Sequence, residues 1–91
     1  MSEFLNVLKG KVIHFIGVGG AGMSPMAHML LDIGRSVTGS DLRDSTTIQA
    51  LLKKGARIFD SHDAENVIFA DIVVYSSAIL DSNPELIEAK K

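Results

Sequence analysis

The sequence predicts an α/β fold: a three-layer domain with a mainly parallel sheet in strand order 3-2-1-4, ending before a further strand. Three observations predict it. Short segments apolar on both faces, Val12–Ile16 and Asp71-Ile-Val-Val-Tyr75, alternate with segments of helical spacing, and such strands mark a parallel sheet covered on two sides. The first of them runs into four glycines within His14-Phe15-Ile16-Gly17-Val18-Gly19-Gly20-Ala21-Gly22-Met23 and then into a helix pattern, as a βαβ unit does. The last helix pattern, from Pro84, has no strand after it, so the chain reads as the front piece of a longer sheet.

Met1 to Gly10 is a short lead-in, with about half a helix turn of apolar spacing at Phe4, Leu5 and Leu8. In the first strand, Val12 to Ile16, His14 interrupts an apolar run and reads as a buried, hydrogen-bonded core histidine rather than a ligand. Beyond it, Gly17, Gly19 and Gly22 fit the spacing G-x-G-x-x-G. One glycine lets the chain turn off the strand, one lets backbone approach a diphosphate, and one lets the helix pack closely on the sheet. The helix that follows brings unpaired N–H groups and the positive end of its dipole to the same spot. Together these make an anion-binding corner suited to a nucleotide diphosphate.

The first long helix spans about Met23 to Ile33. Met23, Met26, Ala27, Leu30, Leu31 and Ile33 face the core, with the methionines as filler and His28 and Asp32 outward. Pro25 is tolerated because the first turn has no internal N–H partner to lose, and Gly34 ends the helix. Ser36 to Ser40 is the second strand. Asp41 at its carboxyl end lies 19 residues past Gly22, where dinucleotide folds often carry an acidic ribose ligand; a solvated or helix-capping loop aspartate is the equal alternative.

Asp44 or Ser45 caps the next helix, and Thr46 with Gln49 matches a capping box. Ile48, Leu51 and Leu52 form its buried stripe, Lys53 and Lys54 lie as a solvated face at its negative end, and Gly55 stops it. Arg57 to Phe59 is a third strand, followed by the loop Asp60-Ser61-His62-Asp63. A metal site there is disfavoured, because three ligand types within four loop residues rarely converge on one ion. The fourth strand, Asp71 to Tyr75, opens into Ser76-Ser77-Ala78-Ile79. In open parallel sheets ligands bind where strand order reverses, here between strands one and four, which puts Ser77 beside the glycine loop. Ser82 or Asn83 then caps a helix that begins with Pro84 and Glu85.

The 91 residues make one domain, 1–91, with an ordinary apolar content of 46%. A net charge of −2, from mixed basic and acidic side chains, gives no footprint for nucleic acid or a membrane surface. The absence of cysteine removes disulfide and thiolate chemistry and suits a reducing cytoplasm. No signal peptide is expected from the opening residues, and the apolar stretch Met26–Ile33 falls far short of the roughly 20 residues a membrane helix needs.

The segments His14-Phe-Ile-Gly-Val-Gly-Gly-Ala-Gly-Met-Ser24, Gly39-Ser-Asp41, Ser76-Ser-Ala-Ile79 and Asn83-Pro-Glu85, in that order, resemble the N-terminal domain of the Mur ligases. The likeness covers nearly all of residues 11–90, and within the family it leans to the branch that adds L-alanine in peptidoglycan synthesis. It implies a Rossmann-like domain that holds the UDP portion of UDP-N-acetylmuramic acid. Gly17, Val18, Gly19, Gly20, Ala21, Gly22 and Met23 would take the diphosphate. Ser40 and Asp41 would lie by the nucleoside, and Ser77, Ala78 and Ile79 would border the diphosphate-sugar side. His62 is similar to the family's loop histidine near the nucleotide, although Ser61 stands where a glycine is usual. Pro25 likewise replaces a common glycine, and Tyr75 a typical valine.

The resemblance also implies, for the full-length parent, a cytoplasmic ATP-dependent ligase that uses magnesium and forms an amide through an acyl phosphate. That chemistry needs G-x-x-x-x-G-K-[ST], and neither Gly-Lys-Ser nor Gly-Lys-Thr occurs here. The fragment is therefore expected to be inactive alone, with no catalytic residue, cofactor or metal of its own and with the remaining ligase domains as partners in cis. Two alternatives stay open: an NAD- or FAD-type dinucleotide module, and the related ligase that recycles muropeptides. Against the first stands size, because a dinucleotide straddles two mononucleotide-binding halves and this chain supplies little more than one.

Overall fold

A computed structural model describes residues 2–91, without the side chains of Ser2, Phe4 and Leu5, so the apolar spacing expected of Phe4 and Leu5 lies outside the described residues. The elements in chain order are α1 (Ser2–Val7), β1 (Val12–Ile16), α2 (Ser24–Asp32), β2 (Ser36–Ser40), α3 (Thr46–Lys53) and β3 (Arg57–Phe59). A 3₁₀ turn (Ala64–Val67), β4 (Ile72–Val74) and α4 (Pro84–Ala89) follow. The four strands are parallel and ordered β3-β2-β1-β4, the order the sequence predicts.

Alternation along the central strands sorts the two faces. Ile13 and Phe15 of β1 and Val37 of β2 join Ala27 and Leu30 of α2 and Ile48 and Leu51 of α3 in one apolar core. The opposite face carries His14 and Ile16, beside Thr38 and Ser40 in register. It is covered by the 3₁₀ turn and α4, which contribute Val67, Glu85 and Leu86 to the interior. The three layers are thus two helices, the sheet, and a thinner layer whose buried groups are partly polar.

Local chemistry accounts for most boundaries. The side chain of Ser45 accepts from Ile48 N and caps α3. Thr46 and Gln49 do not form the expected capping box, because Thr46 already lies inside the helix and Gln49 reaches back to Asp44. Asn83, one of the two offered residues, caps α4. The fourth strand is shorter than expected. Asp71 precedes it and clamps its start onto β1 by donating N–H to Val12 O at 2.9 Å while its carboxylate accepts from Val12 N at 2.8 Å.

The expectation for the methionines needs correction. Met23 packs against the core, but Met26 and Met29 are exposed. They border an apolar groove with Leu8, Ile13, Leu30, Ile72 and Val74. His28, expected to face outward, is half-buried, whereas Asp32 is exposed and pairs with Lys54 at 2.8 Å. Among the described residues no helix is long and apolar enough to cross a membrane.

Candidate functional site

The glycine loop is built on the ends of β1 and β2. Gly17 turns off the strand at φ +75, a conformation glycine adopts without steric cost. The Gly17 and Val18 amides both donate to Ser40 O, at 2.8 and 3.0 Å, which ties the loop to the end of β2. Met23 and Ser24 both donate to Gly20 O, each at 3.0 Å, and Pro25 has no N–H to offer. Ala21 and Gly22 are left with N–H groups that find no partner among the described residues. Bare amides at the start of α2 are what an anion would meet.

The tightest packing falls on a glycine outside the motif. A Cβ at Gly22 would meet nothing within 4 Å, whereas one at Gly39 would lie 2.6 Å from Val18 Cβ. The bulk that must be absent is therefore on β2, so that the fully buried Val18 can plug the loop into the sheet.

Asp41 takes a part the sequence did not offer. Its Oδ2 accepts from Gly19 N at 2.9 Å and its Oδ1 accepts from Arg43 N at 3.0 Å. The carboxylate holds the loop in shape, and it also sets a negative charge beside the bare amides. Arg43, which lines the same cleft, supplies an opposite charge there. Nothing in the spacing singled out Arg43; the signal available was only a cation two residues after Asp41.

That cleft, about 680 Å³, lies at the reversal between β1 and β4. Of the residues expected at the site, Gly17, Gly19, Gly20, Ala21, Gly22, Met23, Asp41, Ala78 and Ile79 line it together. Ser76 lines it as well; Ser77 is exposed and is not among the lining residues. Val18 and Ser40 are fully buried beneath it. Ser45 and Thr47 add hydroxyl-bearing residues at the mouth; from the sequence Ser45 is expected only as a helix cap, and Thr47 is not singled out.

His62 and Ser40 belong instead to a polar cluster under the sheet's other face, centred on the fully buried Glu85. Glu85 Oε1 accepts from Ser40 Oγ at 2.8 Å and lies 2.6 Å from His14 Nε2. Its Oε2 accepts from Asp63 N at 3.1 Å and from Asn66 Nδ2 at 2.9 Å. His14 is therefore the buried, hydrogen-bonded histidine the sequence implied, with Thr38 Oγ1 2.7 Å from its Nδ1. His62 Nδ1 lies 2.9 Å from Ser40 Oγ. In the loop, Asp63 is engaged by Ser61 and Asp60 lines a separate groove with Leu42 and Ile58, so His62 and the two aspartates turn to different neighbours.

Burial alone would raise the Glu85 carboxyl, but hydrogen bonds from His14, Asn66 and Ser40, with the His14 charge, lower it from 4.5 to about 2. The sign for stability follows. The unfolded chain binds the proton first as pH falls, so this group's contribution is present above about pH 4.5 and is lost toward pH 2. The loss amounts to about 3 kcal/mol. Urea midpoints should fall steeply across that window in the natural chain and much less in Glu85→Gln; parallel curves would contradict the assignment.

Comparison with known proteins converges on one family. Residues 12–91 match the Mur ligase family, catalytic domain. The chain is similar to UDP-N-acetylmuramate–L-alanine ligase of Sulfurihydrogenibium sp. (strain YO3AOP1), 54% identical over 87 residues, covering 93% of this chain and 19% of that protein. The ligase of the same name from Persephonella marina is 53% identical over 87 residues, covering 93% and 19%. Among solved structures, UDP-N-acetylmuramate-alanine ligase from Thermotoga maritima superposes with a TM-score of 0.81 at 38% identity, covering 88% of this chain and 19% of that one. A murein peptide ligase from Psychrobacter arcticus 273-4 gives 0.77 at 27% identity, covering 88% and 17%. The chain thus spans about a fifth of the length of the curated relatives it matches.

Proposed function

The chain belongs to the Mur ligase family, and from that premise we propose that it anchors the substrate by holding the UDP part of UDP-N-acetylmuramic acid in the cleft beside the glycine loop. The observation that carries this reading is the pair of amides, Ala21 and Gly22, that have no partner among the described residues and lie at the mouth of α2 where strand order reverses. Two such donors, with the helix dipole behind them and Arg43 lining the same cleft, suit a diphosphate. Asp41 works against any anion placed deep on Gly19, so the phosphates sit toward Ala21 and Gly22. The cleft belongs to a single mononucleotide-binding half, which suits a uridine diphosphate better than NAD or FAD.

In the parent this domain fixes one substrate while the other ligase domains, in cis, supply ATP and magnesium and join L-alanine to the muramoyl carboxylate in the cytoplasm. The names of the relatives at 53–54% identity support the L-alanine branch, and the murein peptide ligase, at 27%, is the more distant likeness. The residues present do not fit an ATP–magnesium site, since the sequence has no Gly-Lys-Ser or Gly-Lys-Thr, and no step of the reaction is assigned to them. These 91 residues are expected to release no phosphate from ATP, with or without alanine; measured turnover would show that the chemistry has been put in the wrong part of the protein.

Calorimetric titration tests the binding role. UDP-N-acetylmuramic acid and UDP should bind with Kd of about 1 mM or tighter, and NAD more weakly than either. Tighter binding of NAD would reverse the assignment in favour of a dinucleotide module.

A further inference from the structure

A cleft with bare amides at a helix start and a guanidinium on its wall attracts any phosphate, and attracts it more strongly the more charge it carries. Asp41 works in the opposite sense. Among the described residues it is the only acidic one that lines the cleft. Its Oδ2 takes the N–H of Gly19, the middle glycine of the motif, at 2.9 Å. An internal carboxylate thus occupies an amide that such a loop otherwise offers to a phosphate oxygen. Its Oδ1 is held by Arg43 N at 3.0 Å, and the two backbone donors fix the group over the loop, where a Cβ on Gly19 would lie only 2.8 Å from Oδ2. Among the described residues the Arg43 guanidinium forms no ion pair with this carboxylate, so the two charges act separately on whatever enters.

We propose that Asp41 is a specificity-determining residue that cancels the charge preference of the cleft, so that a diphosphate esterified at both ends is not displaced by more highly charged free phosphates. Arg43 and the bare amides attract in proportion to ligand charge, and Asp41 repels in the same proportion. What is left to decide binding is the shape and hydrogen bonding of the rest of the ligand. An unesterified phosphate end ionises a second time near pH 6, so inorganic pyrophosphate carries roughly one charge more than the diester within the same length. One extra charge some 6–8 Å from a partly exposed carboxylate, at an effective dielectric between about 40 and 80, changes affinity by roughly two- to tenfold. This selectivity rests on the diphosphate reading above and adds to it which diphosphates the cleft admits.

Titration of the natural chain and of Asp41→Asn with inorganic pyrophosphate and with UDP-N-acetylmuramic acid, at one ionic strength and followed by amide NMR, tests it. Asparagine keeps a carbonyl oxygen for the Gly19 amide and removes the charge. Asp41→Asn should bind pyrophosphate up to about tenfold more tightly and gain clearly less, about threefold at most, for the nucleotide sugar. A gain in affinity is not what a damaged loop produces. Asp44→Asn removes the same formal charge outside the cleft, where Asp44 accepts from Gln49, and should change either affinity by less than about twofold. Pyrophosphate affinity that is unchanged or lower in Asp41→Asn, an equal gain for both ligands, or an equal effect of Asp44→Asn would overturn the proposal while leaving the diphosphate reading in place. If neither ligand moves the Ala21 and Gly22 amides of the natural chain, the diphosphate reading falls and the selectivity with it.

Discussion

Glu85→Ala is expected to destabilise the domain by about 3–5 kcal/mol, the range seen when one partner of a buried charged pair is removed. The carboxylate is fully buried and gathers hydrogen bonds from His14, Ser40, Asp63 and Asn66. Truncation leaves those donors facing a void that cannot satisfy them, at about 1–3 kcal/mol for each that stays dry. A domain of this length has only about 5–14 kcal/mol of total stability, so the midpoint of thermal unfolding should drop by on the order of 20 °C. The same change to Glu88, partly exposed at the end of α4, should cost less than about 1 kcal/mol. A Glu85→Ala protein that melts with the natural one would mean that water replaces the carboxylate and that the cluster holds nothing together.

The second large effect concerns binding. Gly19→Val should weaken UDP-N-acetylmuramic acid about a hundredfold while costing the fold only about 1–3 kcal/mol. A Cβ at this position would lie 2.8 Å from Asp41 Oδ2 and 3.1 Å from Ile48 Cδ1. Asp41 must then leave the Gly19 amide, and the rim formed by Asp41 and Arg43 moves with it. One misplaced charge-assisted contact, from Arg43, worth about 1.5–3 kcal/mol, accounts for the expected loss. The carboxylate lies at a partly open rim and can swing away, which is why stability should suffer less than affinity. Calorimetry of a variant that still unfolds cooperatively separates the two; unchanged affinity would remove the loop from the site.

The framework was legible because it rests on local pattern. Val12–Ile16 and Ser36–Ser40 are strands with the expected bounds, and Asn83-Pro84 announces its helix by capping chemistry alone. The glycine turn between β1 and α2 was legible for a similar reason, since glycine spacing between strand and helix is a short-range signal. What stayed hidden depends on residues far apart in the chain. His14 could be judged buried, but its partner Glu85 lies 71 positions away and looks in the sequence like any acidic residue in a first helical turn.

The part played by Asp41 was ambiguous for a comparable reason. Spacing placed it at the end of β2, and only the fold brings the Gly19 amide, 22 residues earlier, onto its carboxylate. Ser76 and Ser77 are indistinguishable by composition. The lining residue is decided by where β4 stops, and the strand ends at Val74 rather than Tyr75. The exposed Met26 and Met29 show the converse limit: helical spacing tells which side chains share a face, not whether anything covers it.

The most direct test of the central claim is amide NMR during titration with UDP-N-acetylmuramic acid. The account predicts that the Ala21 and Gly22 signals move most, saturably, with smaller changes at Gly19, Asp41 and Ala78. Saturable binding that leaves Ala21 and Gly22 unmoved, or no binding at millimolar ligand, would contradict it.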